Sequence, residues 1–388
     1  MSRLSILIVS EKWWPDNGGG SLATYLITKL LANHFNVIVL TGSGTFEKIN
    51  NVKFIQTERL KASSKHELWL KTLQLSREQW FRNLVEKVDV VYVPGFSFPI
   101  IPLAKRMNRK VVVHLHGYIP VSYTAVIPAP YEQYKKVMKK FNIWLESRNS
   151  IKHVLVAGFA QEIVTKLART WISQADKVLC VSNRHASIVG ELAPELRGKI
   201  AVVYNPPPEV SSINKELTDD PLLIYVGGDS FIKGFHILLS AIPRLIRSGV
   251  RLRLFGDYRR VIKMYNVEFV GRIPHDRLMQ EHRYAWGLLF PSINEEPLPY
   301  AVIESAVSGT VPLVSNAGGA VEVLRGTPAE KFVFRVNDPS DLVDKVLSLV
   351  AEGSKHVVEM GLETREVVVK RLEESSRQLI RHILSTVE

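Results

Sequence analysis

Short apolar runs alternate with helix-patterned stretches, and that alternation occurs twice along the chain. The first series reads "LSILIVS", "SLATYLITKLLANH", "NVIVLTG", a longer helical region, "VDVVYVPG" and "KVVVHLHG". The second reads "LLIYVGG", "FHILLSAIPRLIRSG", "VRLRLFGD", "VEFVGRI", "DRLMQEHRYA", "GLLFPS", a helix and "TVPLVSN". Runs that are apolar throughout belong to strands covered on both faces, which occur where helices flank a parallel sheet. Two such series joined by the Pro-, Ser- and Asn-rich stretch near residues 206–221 predict two doubly wound α/β domains. A length of 388 residues agrees, because one hydrophobic core seldom serves so long a chain. The expected division is 1–207 and 208–367, with a terminal helix at about 368–388 that packs back on the first domain.

Composition narrows the function. The longest uncharged apolar stretch, Val90 to Ala104, is broken by Pro94, Pro99 and Pro102 and falls short of the roughly 20 residues a bilayer span needs. The first apolar run, Leu4 to Ser10, passes at once into Glu11 and Lys12, which reads as a strand rather than a signal peptide and implies a cytoplasmic protein. A single cysteine, Cys180, excludes an internal disulfide and a thiolate metal cluster. Charge is unevenly placed: residues 1–210 hold 28 Lys and Arg against 15 Asp and Glu, whereas the rest hold 22 against 23. The first half therefore favours an anionic partner, whether membrane surface, nucleic acid or phosphorylated substrate. Within it, residues 131–145 predict one basic amphipathic helix with Tyr134, Val137, Met138, Phe141, Trp144 and Leu145 on one side. Lys135, Lys136, Lys139 and Lys140 fall on the other, a pattern suited to peripheral contact with an anionic membrane or to packing on the chain's own domain.

The second series carries the chemistry. In "NEEPLPYAVIESAVSGTVP", Glu296 and Glu304 are separated by seven residues. Pro297 and Pro299 delay the helix to about Pro299, and Gly309 ends it. Glu296 is thus expected in the loop at a strand's carboxyl end and Glu304 about one turn into the next helix, where open α/β sheets bind ligands. "YVGGDSFIKG" brings Gly227, Gly228 and Lys233 to another strand end, and "VSNAGGAVEVL" brings Gly318, Gly319 and Glu322 to a third. Glycine-rich strand ends and helix starts offer backbone N–H groups to a diphosphate.

The stretch "FPSINEEPLPYAVIESAVSGTVPLVSNAGGAVEV" resembles the signature region of the group 1 family of retaining, nucleotide-sugar-dependent glycosyltransferases, which have the GT-B fold. The resemblance continues through "SEKWWPDNGGGSLATYLI", "VVVHLHG", "ADKVLCVSNRHASIV" and "YVGGDSFIKGFHILLSAI". It implies two Rossmann-like domains facing across a cleft and transfer of a sugar, of hexosyl type, from a UDP-, GDP- or ADP-sugar to a hydroxyl acceptor. It also implies that Glu296 approaches the donor sugar, that Glu304 binds the ribose and that Lys233 neutralises the leaving diphosphate. His116 would contact the donor sugar or the reaction centre. Gly19, Gly20, Gly227, Gly228, Gly318 and Gly319 would line the donor, with the amides of Leu298 and Tyr300 as further donors of hydrogen bonds. No cofactor and no obligatory metal are expected, because a lysine and helix starts can hold the diphosphate.

Gly228 stands where the family usually has an arginine, for which Arg272, Arg259 or Arg260 would have to substitute, and Pro297 and Pro299 stand where it usually has glycines. These departures keep open a sugar-nucleotide-binding protein with weakened catalysis. Paired carboxylates alone also fit a glycoside hydrolase, which leaves Lys233 unexplained. A basic nucleic-acid binder finds support only in Tyr118, Tyr123, Tyr131 and Tyr134 near the lysines, and no nucleic-acid partner is expected.

Overall fold

The continuous apolar runs become strands because helices cover both faces of each sheet: Ile6, Leu7, Ile8 and Val9 are all fully buried, as are Val111, Val112 and Val113. A computed structural model describes residues 3–16, 18–44, 46–147, 151–210, 214–261 and 263–388. The chain forms two compact units. One comprises Met1–Val126, Lys139–Pro206 and Glu373–Glu388, and the other Ile127–Met138 and Pro207–Leu372.

In the first unit seven strands form one sheet: β1 Ser5–Ser10, β2 Asn36–Thr41, β3 Val52–Gln56, β4 Val90–Val93, β5 Lys110–Leu115, β6 Lys177–Cys180 and β7 Ile200–Val202. Their spatial order is β3-β2-β1-β4-β5-β6-β7, and every pairing is parallel. Leu379 and Ile383, from the end of the long helix Gly353–Val387, join the core around Ile8, Val39 and Tyr92. Strand β3 lies inside the region expected to be helical. It is an edge strand without a fully buried residue, so "VKFIQ" lacks the continuous apolar run that marks its neighbours.

In the second unit β8 Leu222–Val226, β9 Arg251–Phe255, β10 Val267–Gly271, β11 Gly287–Phe290, β12 Val311–Ser315 and β13 Val333–Phe334 lie in the order β10-β9-β8-β11-β12-β13. All are parallel. In each sheet the winding reverses beside one strand pair, β1 with β4 and β8 with β11. Ligands of open α/β sheets bind outside the carboxyl ends at this switch point.

The single amphipathic helix expected over 131–145 is not formed. A short helix, Tyr131–Tyr134, is followed by a turn and a second helix, Met138–Ser147. The reason is tertiary: Tyr131 is anchored in the second unit, where its N–H donates to Glu295 Oε1 at 2.8 Å, whereas the chain from Lys139 belongs to the first. Lys136, Lys139 and Lys140 remain exposed, together with Val137 and Trp144.

Candidate nucleotide-sugar site and the histidine cavity

At the switch point of the second sheet, β8 leads through Gly227 and Gly228 to Lys233, and β11 leads to Glu296. Lys233 Nζ lies 2.7 Å from Glu296 Oε1, with the ring of Phe290 5.6 Å away. Lysine and carboxylate are part-buried, at 32% and 15% side-chain exposure, so the pair contributes little net stability and serves chiefly to fix geometry. Gly234, the residue after Lys233, caps the helix Phe235–Arg247 in the left-handed region at φ +75°, and a Cβ there would lie 1.7 Å from the carbonyl oxygen of Pro291. Only glycine allows this close approach of the two strand-end loops, and the approach brings Lys233 to Glu296.

The prolines act as expected: the next helix is Tyr300–Val307, with Pro299 as its cap and Gly309 beyond its end. Glu304 is buried on that helix, and Oε1 is 2.7 Å from His275 Nε2. This hydrogen bond raises the pKa of His275 above its ordinary value, and the bond fixes one carboxylate oxygen of Glu304. Leu298 and Tyr300 have buried side chains, and among the described residues the Leu298 amide donates no hydrogen bond within the protein.

The glycine amides at these strand ends have partners within the protein. Gly318 N–H donates to Glu295 Oε2 at 2.8 Å, and Gly319 N–H donates to the Glu296 carbonyl at 2.8 Å. Gly227 and Gly228 N–H both donate to the Phe255 carbonyl, at 3.1 and 3.0 Å. All four are committed within the protein, because these turns are stitched to neighbouring strand ends. Gly228 has φ +59°, and a Cβ there would stand 2.5 Å from the Asp257 carbonyl oxygen, so this loop has no room for the arginine usual in the family. Two of the three proposed substitutes are engaged: Arg272 pairs with Asp257 at 2.6 Å and Arg259 with Asp229 at 3.7 Å.

Glu295 carries a role with no sign in the amino-acid pattern. It is 1% exposed, and its two oxygens accept from Tyr131 N–H and Gly318 N–H, at 2.8 Å each. Its own N–H donates to the Ile127 carbonyl at 2.8 Å, and Asn294 Oδ1 accepts from Ile127 N–H at 3.0 Å. Segment 127–131 thus clamps the loop that presents Glu296. Next to an expected functional glutamate, a second one carries no separate signal.

His116, Gly19 and Gly20 belong to the first unit. Gly19 opens the helix Gly19–Ala32, and Gly20 and His116 line one cavity of about 520 Å³. Neither ring nitrogen of His116 has a partner among the described residues. Burial pushes its pKa down to about 4, so the ring is neutral at ordinary pH and can donate from one nitrogen and accept at the other. His114 packs beside it, with ring centroids 4.6 Å apart, and Tyr92 Oη lies 2.5 Å from His114 Nδ1.

The family model described as Glycosyl transferases group 1 matches residues 208–367, and that described as Glycosyltransferase Family 4 matches 16–207. An uncharacterised glycosyltransferase of Methanocaldococcus jannaschii is 27% identical over 143 residues, which are 34% of this chain and 36% of that protein. Glycogen synthase of Mycobacterium tuberculosis is 25% identical over 238 residues, 56% of this chain and 55% of that protein. The chain thus spans about a third to a half of the length of these relatives. Among solved structures, sucrose-phosphate synthase of Thermosynechococcus elongatus superposes with a TM-score of 0.72 at 17% identity, over 99% of this chain and 100% of that one. Anabaena HepE in complex with UDP and glucose gives 0.69 at 15%, over 98% and 100%. The catalytic domain of Arabidopsis thaliana starch synthase IV bound to ADP and acarbose gives 0.69 at 12%, over all of both chains. At these identities the likeness is one of fold.

Proposed function

We propose that this chain, which belongs to the group 1 glycosyltransferase family and has the GT-B fold, transfers a sugar from a nucleotide diphosphate donor to a hydroxyl acceptor with retention of anomeric configuration. The observation that carries the reading is the 2.7 Å pairing of Lys233 with Glu296 at the switch point of the second sheet, beside the buried Glu304. In this reading the bond from the anomeric carbon to the diphosphate breaks with its electron pair on the phosphate oxygen. Lys233 exchanges Glu296 for that growing charge, which is where a preorganised cation lowers the barrier. The acceptor oxygen forms the new bond, and its proton passes to the departing phosphate. Glu296, released from the lysine, holds hydroxyls of the donor sugar. Glu304 accepts from the ribose hydroxyls with the oxygen not held by His275, and the Leu298 amide is available to the diphosphate. Retention is supported by the family resemblance alone.

The same reading calls for no metal and no other cofactor, since Lys233 supplies the positive charge; nucleotide binding undiminished by EDTA would agree with it. It also includes a cytoplasmic setting and peripheral contact with anionic membrane through exposed Lys136, Lys139, Lys140 and Trp144. Sedimentation with anionic vesicles tests the contact. A second reading, a sugar-nucleotide-binding protein with weak catalysis, is favoured by the closed Gly228 position, and would give donor binding without transfer or donor hydrolysis.

The donor site is tested by thermal shift with UDP-, GDP- and ADP-glucose on wild type, Lys233→Ala and Glu304→Ala. A ligand at 100 times its Kd adds about 2.7 kcal/mol of stability, and both variants should lose most of that response. A wild-type response unchanged in both would overturn the assignment.

A further inference from the structure

A helix ends with carbonyls that its own amides cannot reach. At the end of Tyr300–Val307, the N–H groups of Ser308, Gly309 and Thr310 serve the carbonyls of Glu304, Ala306 and Ser305, which leaves that of Val307. Arg365 Nε donates to it at 3.0 Å. The helix Ala320–Leu324 is little more than one turn long, and an isolated turn does not hold its own shape. Arg371 donates to its Glu322 and Val323 carbonyls, at 2.8 Å each, and to the Arg325 carbonyl just beyond. Both arginines stand on the part of the helix Gly353–Val387 that belongs to the second unit. On the same part, Gly361 lies so close to Gly309 that an added Cβ would run into its carbonyl oxygen, so the two segments touch backbone to backbone. Both arginine side chains are half-buried, and among the described residues neither pairs with a carboxylate. Their charge is directed instead at carbonyls at helix ends, where a cation is favoured.

These two helices carry the groups assigned to the donor. Glu304 lies within the last turn of Tyr300–Val307, so the carbonyl held by Arg365 and the carboxylate held by His275 belong to one short rigid piece. Ala320–Leu324 starts from Gly319, whose N–H donates to the Glu296 carbonyl at 2.8 Å, beside the Gly318 N–H on Glu295. Resting on the donor reading above, we propose that Arg365 and Arg371 are positioning residues of the donor site: Arg365 fixes where Glu304 stands for the ribose, and Arg371 fixes the loop that presents Glu296 to the donor sugar. Each acts through the backbone it holds. The effect is large enough to matter, because a misplacement of about 1 Å far from the chemistry can cost about 100-fold.

The test sets Arg365→Met, Arg371→Met and the corresponding Lys variants against wild type. Isothermal calorimetry on the full chain uses UDP, GDP, ADP and their glucose derivatives as probes, and NMR titration follows His275 without ligand. Arg365→Met should weaken nucleotide and nucleotide sugar alike by about 10-fold, the lower end of what loss of a charge-assisted hydrogen bond costs. It should also lower the His275 pKa, since the bond to Glu304 is what chiefly raises it. Arg371→Met should weaken the nucleotide sugar by a similar factor and leave the bare nucleotide unchanged, because Glu296 meets only the sugar. Arg365→Lys should recover most of the loss, as one ammonium can reach one carbonyl, whereas Arg371→Lys should recover little, as three carbonyls need the planar fork. Arg377→Met, which breaks an exposed pair with Glu374 on the same helix, should match wild type throughout. Where Arg365→Met does not fold, Arg365→Gln, which keeps a shorter neutral donor, takes its place, and Arg371→Lys stands in likewise for Arg371→Met. A lowered Tm with every affinity and the His275 titration at wild-type values would make the arginines packing contacts only and overturn the proposal. A wild type that binds none of the probes overturns the donor reading instead, and the His275 titration then still decides whether Arg365 positions Glu304.

Discussion

Two adjacent glutamates should respond in opposite ways to the same substitution. Glu295→Ala removes the acceptor for two buried amides, Tyr131 N–H and Gly318 N–H, each at 2.8 Å. A buried donor left unpaired costs about 1–3 kcal/mol, so the pair implies a loss of about 2–6 kcal/mol. For a domain of this size each kcal/mol moves Tm by about 2–4 °C, which places the expected fall between about 4 and 24 °C. Glu295→Gln keeps one oxygen and turns an N–H toward the other donor, so it should lose about half as much. Glu296→Ala, by contrast, breaks a part-buried ion pair worth about 1 kcal/mol or less, and should melt within about 4 °C of wild type while its transferase activity falls. Differential scanning calorimetry on the three variants, with transfer measured alongside, decides the matter. If Glu295→Ala melts within about 1 °C of wild type, the clamp by segment 127–131 does not hold the loop.

Gly234→Ala should destabilise the second unit by about 3 kcal/mol or more, because the new Cβ meets the Pro291 oxygen at 1.7 Å in a left-handed backbone; a melting curve overlapping wild type would refute this. Gly228→Arg should lower Tm and fail to tighten nucleotide binding, since the Asp257 backbone closes that position; isothermal calorimetry reads the affinity. Glu304 raises the pKa of His275 above its ordinary 6.5. The stabilisation from this pair is therefore fully present below pH 6.5 and is lost as pH rises through the folded pKa. NMR titration should find the His275 pKa lower in Glu304→Gln, with the pH dependence of Tm flattened over that window; an unchanged titration would show that the two side chains do not interact.

The doubly wound class could be read from the chain because a parallel strand covered on both faces must be apolar along its whole length, and the helix after it must show a 3.6-residue stripe. These constraints are local. So are the prolines and Gly309 that set Glu296 before a helix and Glu304 within it, and the strand-end position of Lys233. Strand β3 escaped the same reasoning because an edge strand, half in water, does not need the pattern.

What the amino-acid order could not disclose depends on residues far apart in it. Glu295 meets Tyr131 across 164 positions and Glu11 meets Phe96 across 85, and periodicity carries no information over such spans. The commitment of the Gly227, Gly228, Gly318 and Gly319 amides is likewise decided by neighbouring strands, because a glycine turn looks the same whether its N–H groups face a phosphate or a carbonyl. Sequence thus determined which strand ends bear the chemistry, and the tertiary contacts decided which polar groups there are already satisfied by the protein and which remain for a ligand.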